Sequence, residues 1–349
     1  MTLYIGVDMH PHQQTVAWCD TLTGETRTID LDNDPEIIRQ FYSSLSEPAI
    51  VGIEASARAN WFEELLFETG HKLFVGNPVL IRKRATSRHK NDRRDAELIL
   101  ELLLRGEFPA VWRRPPESDQ ILEIFRLRQS LVRHRTGVYN RLQALAHSVG
   151  LPKGRMRTNG FQQLMKAARM NEVSSIRRDH LFSLVEKLNE QIAELDQWLK
   201  KKADKDRSVQ LLLSQKGVGY LTALATFHTL GDVSRFPRLS KQIASFAGLD
   251  PVERSSAGKT RFGSISKAGS SLLRYQLGLA AQIASRSDAK LKGFYKRLAK
   301  KKPKAVAKTA AARKLLVKLS IMLRDEITAD EFDRRGRTVG NARVTTGLQ

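Results

Sequence analysis

Five short apolar runs crowd into the first 76 residues, and their order limits the fold more than any other feature of the chain. Residues 3–9 read as a strand that stops at His10-Pro11. Residues 14–20 alternate as a second strand, Thr21-Leu22-Thr23-Gly24 turns the chain, and 26–31 make a third. An amphipathic helix over 35–45 follows, with Asp34 placed to cap it. The run 49–53 is apolar throughout, as strands buried on both faces are. A helix over 58–68 carries Trp61, Leu65 and Leu66 on one side, and 72–75 is the last strand before Gly76-Asn77-Pro78.

Three meandering strands followed by helix, strand, helix, strand, helix is the order of an RNase H-like α/β domain. In such a sheet the first and fourth strands lie side by side, and ligands gather at strand ends. Asp8 stands at the end of the first strand and Glu54 at the end of the fourth. Further on, Lys90-Asn91-Asp92-Arg93-Arg94-Asp95-Ala96-Glu97 opens a helix whose apolar residues Leu98, Ile99, Leu102 and Leu103 recur at helical spacing. Asp92 and Asp95, three apart, share one helical face. Singly, each acid has an ordinary reading, since a helix start favours acids and strand ends are wetted. Together, four acids at the ends of three elements make a candidate cation site. Carboxylates held close repel unless a cation or proton intervenes, and Mg²⁺, or Mn²⁺, is the hard ion that oxygen ligands suit. Beside an oxygen-rich site, His10 and His12 read as polar residues of the strand-exit turn. Asn91, Arg93 and Arg94 are placed to meet phosphate, arginine having the planar fork for it.

The 349 residues carry a formal charge of +22. That excess implies a polyanionic partner, nucleic acid first, and the chain lacks the dominant basic amphipathic helix that a membrane surface would need. No run of about 18 apolar residues suggests a membrane span. Cys19 is the only cysteine, which excludes an internal disulfide and a cysteine-based zinc site. The chain enters its first strand with no basic and apolar leader, so a reducing cytoplasm is the expected location.

Residues 117–149 and 171–206 read as two long helices. Leu122, Phe125, Leu127, Leu131, Val138 and Leu142 mark the first, which is studded with Arg126, Arg128, Arg133, Arg135 and Arg141. Those arginines make either a solvated basic face or a nucleic-acid track. Leu181, Leu184, Leu188, Ile192, Leu195 and Leu199 approximate a heptad stripe on the second, as in an antiparallel or intermolecular coiled coil. Residues 152–160 between them read as a loop and subdomain break. Lys216-Gly217-Val218-Gly219, between apolar helical runs, resembles a helical hairpin whose glycines admit a phosphate, or equally a plain tight turn. A helix over 240–247 ends at Gly248. The small, polar and basic stretch 253–269 reads as a phosphate-contacting loop, with Lys259, Arg261 and Lys267 as its cations. A serine there needs activation to be a nucleophile, and from the residues alone unreactive hydroxyls are the simpler reading. A helix over 270–285 and a basic segment from Lys290 to Arg324 follow; Lys300, Lys301 and Lys302 sit in the latter, and Leu315, Leu316, Leu319 and Leu323 give it a buried side. Phe294 and Tyr295 read as core contacts rather than base-stacking rings. The division expected is 1–110, 111–207, 208–325 and a tail over 326–349, disordered from Thr338 onward.

Several of these stretches resemble one family. Val7-Asp8, Gly52-Ile53-Glu54-Ala55-Ser56, and Lys90-Asn91-Asp92 with Asp95-Ala96 are similar to the DEDD motif of the insertion-sequence 110/1111 transposases, relatives of the Piv DNA invertase. Gly217-Val218-Gly219, Phe246-Ala247-Gly248-Leu249-Asp250-Pro251, Ser255-Ser256-Ala257-Gly258-Lys259 and Ile265-Ser266-Lys267-Ala268-Gly269 resemble the second domain of that family, in the same order. Ala257 departs from the pattern, where a glycine is expected. The resemblance implies a RuvC-like N-terminal domain, a long-helix coiled coil and a mostly α-helical transposase domain. It implies that Asp8, Glu54, Asp92 and Asp95 bind Mg²⁺ and that Ser255 or Ser256 attacks the DNA backbone to form a phosphoserine link. It also implies guidance by a structured bridge RNA pairing with donor and target DNA. The assembly implied is a tetramer, a dimer of dimers, with acids and serine drawn from different protomers, in a nucleoid-associated bacterial setting. Two other readings fit the residues: a hydrolytic Holliday-junction nuclease using the same acids, and a basic nucleic-acid-binding protein without catalysis.

Overall fold

A computed structural model describes residues 3–55, 59–84, 91–253 and 262–342. The chain forms two compact units, Met1–Arg113 and Arg114–Gln349.

In the first unit, strands β1 (Leu3–Met9), β2 (Gln13–Asp20) and β3 (Thr26–Asp32) form an antiparallel meander. Helix α1 (Pro35–Ser43), capped by Asp34, leads to β4 (Ala49–Glu54), then α2 (Ala59–Glu68) and β5 (Lys72–Gly76). A single turn, α3 (Pro78–Arg82), precedes α4 (Asp92–Leu104). The sheet order is β3-β2-β1-β4-β5, with β1 parallel to β4 and β4 parallel to β5. The first and fourth strands are therefore neighbours, as the element order requires.

Strand alternation sends two different sets of side chains to the two faces. Ile5, Val7, Val51 and Ile53 point to one core with Ile38, Tyr42, Phe62 and Leu66 of α1 and α2. The other face carries glycines where α4 crosses. Gly6 and Gly52 are paired across β1 and β4. A Cβ on Gly6 would fall 2.3 Å from the Ala96 carbonyl oxygen and 2.5 Å from the Leu100 nitrogen, while one on Gly52 would fall 2.8 Å from Leu103 Cδ1. Helix α4 thus lies directly on the sheet backbone and buries Ala96, Ile99, Leu100, Leu102 and Leu103. Each of the larger ones contributes about 1.5–3 kcal/mol. Asp8 and Glu54 fall two residues beyond Gly6 and Gly52, on this same face.

In the second unit, α5 (Pro116–Ser148) and α7 (Glu172–Lys205) run antiparallel. Arg128 faces Asp196 and Arg135 faces Asn189, at 2.9 Å and 2.8 Å, and Lys202 reaches Glu117 at 3.1 Å. At one end Val138, Leu142 and Leu145 pack on Phe182, Val185 and Leu188, closed by Met165 of α6 (Asn159–Ala167). The stretch 152–160, expected as a break, is built into this end: Met156 is buried in the same cluster. The other end of the pair merges into the main core with α8 (Arg207–Leu213), α9 (Tyr220–Leu230) and α10 (Leu239–Phe246). A short antiparallel pair, β6 (Pro251–Glu253) and β7 (Phe262–Ile265), stands where a loop was expected. Helices α11 (Ser271–Ser287), α12 (Ala289–Ala299) and α13 (Lys304–Arg324) complete that core.

Gly217 sits at φ +88° in the turn before α9, and a Cβ there would also fall 2.5 Å from the Ala284 nitrogen of α11. One further expectation changes. The segment after 326 carries α14 (Ala329–Ala342), so residues 338–342, expected to be disordered, continue a helix. Phe332 packs on the core and Asp333 bonds Lys290 and Lys318, which is why this segment folds back. Among the described residues no helix is long and apolar enough to cross a membrane.

The glycine floor sets a prediction. Gly6→Ala is expected to destabilise the protein by about 1–3 kcal/mol or more, because the methyl meets backbone rather than a mobile side chain. Gly137→Ala, mid-α5 with nothing within 4 Å of the added methyl, is expected to be neutral or stabilising by up to about 1 kcal/mol. Urea unfolding of both variants measures the contrast.

Candidate active site

The C-terminal end of β1 and the N-terminus of α4 meet at three polar side chains. His10 Nε2 lies 3.2 Å from Asp8 Oδ2 and 3.3 Å from Asp92 Oδ1. One donor atom from each of the three falls within 4.8 Å of the others. Asn91 Oδ1 accepts from the Arg93 amide at 3.1 Å and so fixes where α4 begins. Asp95, one turn on, bears on Asp8 electrostatically. Burial is the main influence on Asp8, whose side chain is 14 % exposed, and it raises the carboxyl above the usual range. His10 opposes that rise, while Asp95 and Asp92 add to it. Glu54 stands apart from this cluster and faces Arg82 at 3.5 Å.

Two carboxylates and an imidazole at these spacings fit a divalent ion. The carboxylates suit a hard cation, and imidazole is a donor that Mn²⁺ and its neighbours accept more readily than Mg²⁺. His10, read from sequence as a turn residue, is thus the third member of the cluster. The spacing Asp-x-His on a strand exit was visible, but only the position of α4 brings Asp92 to the imidazole. His12 is exposed and lies outside the cluster.

The cations expected to meet phosphate belong to several elements of the two units. Arg93 and Arg94 are exposed on the first turn of α4, Arg93 also 3.5 Å from Glu97. Lys300, Lys301 and Lys302 are exposed in the turn between α12 and α13. Phe294 and Tyr295 pack against the core, with Lys314 over the Phe294 ring. Ser255, Ser256, Lys259 and Arg261 lie outside the described residues. What the structure shows is how the two sides of their stretch are held. β6 pairs with β7, Ser266 Oγ donates to Asp250 Oδ1 at 2.6 Å, and the Ser266 amide donates to the Asp250 carbonyl. Lys267 adopts φ 57° with its amide on the Gly248 carbonyl, and its side chain is exposed. A Cβ on Gly269 would overlap the Phe246 carbonyl oxygen, 1.9 Å away.

The raised carboxyl of Asp8 makes a stability prediction. The folded state holds this proton more tightly than the unfolded chain, so Asp8 favours folding below its ordinary pKa of 3.8 and that contribution is lost as pH rises through the folded value. In chelator, Asp8→Asn is expected to melt a few degrees above wild type near pH 7. The difference should vanish below about pH 4. Calorimetry across that range measures it.

Residues 5–149 match the family described as a DEDD transposase of the IS110 type, and residues 209–296 match the Transposase IS116/IS110/IS902 family. A protein of Pseudomonas aeruginosa described as a probable family 20 transposase is 30% identical over 292 residues, covering 79% of this chain and 84% of that one. The transposase for insertion sequence element IS1111A of Coxiella burnetii is 28% identical over 69% of this chain and 68% of its own. That for IS1328 of Yersinia enterocolitica is 29% identical over 68% and 71%. The first matched segment holds the acidic cluster and runs on through α5, the second lies within the helical unit and holds the β6–β7 pair, and the chain belongs to the IS110 family of DEDD transposases.

Proposed function

We propose that this transposase is an RNA-guided DNA recombinase that cuts and rejoins strands through a covalent phosphoserine intermediate. The observation that carries the reading is the convergence of Asp8, His10 and Asp92, with Asp95 one turn away, at the C-terminal end of the central strand of an RNase H-like sheet. We assign the N-terminal unit to a RuvC-like catalytic domain over 1–110. The α5–α7 pair, within 111–207, is read as a coiled coil that serves oligomer assembly, and 208–325 as the serine-bearing domain, followed by a terminal segment.

Asp8, Asp92, Asp95 and His10 would hold Mg²⁺ or Mn²⁺, with Glu54 recruited from its ion pair with Arg82. A bound divalent ion supplies charge stabilisation for phosphoryl transfer. Arg93, Arg94 and Lys267, joined by Lys259 and Arg261, are assigned to backbone phosphates, where charge-assisted hydrogen bonds are strongest. Lys300, Lys301 and Lys302 are assigned to the surrounding nucleic acid. Ser255 or Ser256 gives up its hydroxyl proton and bonds phosphorus, while the bond from phosphorus to one sugar oxygen opens and that sugar leaves as a hydroxyl. Attack by a different sugar hydroxyl then restores the serine and rejoins the strand, with no outside energy source. Guide pairing would supply sequence choice while the protein holds the backbone, a division known in other RNA-guided systems. The charge of +22 supports a polyanionic partner, and this reading supplies DNA and a structured RNA.

The test uses full-length protein, Mg²⁺, the flanking RNA of its element and end-labelled donor DNA, resolved on a denaturing protein gel. A labelled protein–DNA adduct is expected. Asp92→Ala and one of Ser255→Ala or Ser256→Ala should reduce it by at least about 10³-fold, the scale of losing a residue that acts only in the transition state. Cut DNA without adduct, unchanged in both serine variants, would instead establish hydrolysis. An adduct formed equally without RNA would remove the guidance.

A further inference from the structure

We infer that a groove between α5 and α11 holds an unpaired nucleotide of the DNA strand, stacked on Tyr275 with its phosphates on Arg126 and Arg133. The inference deepens the recombinase reading and rests on it. The groove offers about 510 Å³, within the range of small-ligand sites, a volume suited to one nucleotide and not to a length of duplex. Arg126, Gln129, Arg133 and Thr136 form its α5 wall, Ser271 and Tyr275 its α11 wall, and among the described residues no acid lines it.

The arginines of α5 divide by function along the helix. Arg128 and Arg135, seven apart, turn to α7 and are satisfied by Asp196 and Asn189. Arg126 and Arg133, also seven apart, turn to the groove, are exposed, and have no ion-pair partner among the described residues. Arg157 donates to Oγ1 of Thr136, one of the lining residues, at 3.2 Å. Unpaired guanidiniums beside an aromatic ring are what a polynucleotide requires: charge for the backbone and a face for the base. The Tyr275 side of the groove supplies that face. The residue is 50% exposed at the first turns of a helix whose buried side is otherwise well packed.

A single strand fits better than a duplex, because a paired base already stacks on both neighbours and has no face to offer. Strand exchange transiently provides such bases. DNA is favoured over RNA by connectivity. Helix α11 follows β7 after the short segment 266–270, and Arg274 of its first turn bonds the carbonyls of Ala247 and Gly269. The groove is therefore tied to the strand pair that flanks the serine stretch, where the attacked strand is DNA.

Fluorescence anisotropy of full-length protein in chelator, with a labelled 15-mer of deoxythymidine, the same-length DNA duplex and a 15-mer of uridine, tests this. Tyr275→Ala is expected to weaken deoxythymidine binding by roughly 5- to 150-fold and Tyr275→Phe by less than about twofold, since the ring face is what counts. Duplex affinity should change by less than about twofold in both. Arg126→Gln with Arg133→Gln should flatten the slope of log Kd against log salt for the single strand by about 1.4, the value for two phosphates. An unchanged single-strand affinity in Tyr275→Ala, an equal loss on duplex, or a loss confined to uridine would each overturn the inference. Circular dichroism melting confirms that the exposed substitutions leave the fold intact. The adduct assay above reads the recombinase chemistry separately, so loss of adduct with single-strand binding intact would remove that reading and leave the groove.

Discussion

Everything at the acidic end of the N-terminal unit depends on one backbone-to-backbone contact, α4 lying on Gly6, with Gly52 beside it making room for the Leu103 and Ile99 side chains. A helix normally stands off a sheet by the length of the intervening side chains. With no Cβ at the crossing, Ala96 and Leu100 of α4 touch the backbone of β1 itself. The sheet ends and the helix start are thereby brought into the same small volume. Two turns of rigid helix link Leu100, at the contact, to Asp92, at the site. The same contact explains why Asp8 is desolvated: α4 covers the face it shares with Gly6.

That closeness has an electrostatic cost, and the chain answers it locally. Asp8, Asp92 and Asp95 repel one another, and burial makes the charge on Asp8 harder to sustain. His10 Nε2 between Asp8 and Asp92 is the one nearby group that relieves this within the described residues. Groups that oppose one another in this way cost stability, a cost proteins accept where function requires it. The net positive charge elsewhere follows a different logic. Cations needed for architecture are paired, as Arg128 is with Asp196, and those left over line faces where a polyanion can lie.

How much of this the sequence disclosed follows from the range of each interaction. Strand order, the two long helices and the start of α4 were legible, because alternation, helical periodicity and the Asn91 cap are local signals. That Asp8 would come near Asp92 and Asp95 was legible too, since strand ends and helix starts can be located, whereas Glu54, expected with them, faces Arg82. Three things were not. His10 needed the position of α4. The partition of the α5 arginines needed the identity of the residues across from them, Asp196 and Asn189, which lie more than 50 positions away. The pairing of β6 with β7 was masked by a stretch rich in glycine and serine, whose composition reads as loop.

Packing now accounts for many letters of the two signature segments. Gly6 and Gly52 admit α4, Gly217 admits Ala284, and Gly269 admits the Phe246 carbonyl. Gly248 and Lys267 form a left-handed pair, joined by the Lys267 amide on the Gly248 carbonyl, which offsets part of the roughly 1–2 kcal/mol that Lys267 loses in that conformation. Asp250 accepts from Ser266, and Asn91 caps its helix. Each of these residues is explained by holding the fold. Asp8 is not: it is desolvated, its carboxyl is raised, and its neighbours Asp92 and Asp95 make matters worse. A chain selected for stability alone would place asparagine there. Residues that packing explains therefore build two rigid mounts, the α4 crossing and the 246–251/265–269 clasp, and what packing leaves unexplained at the first mount is the acidic cluster. That remainder is the strongest physical reason for assigning chemistry to Asp8 and the groups around it.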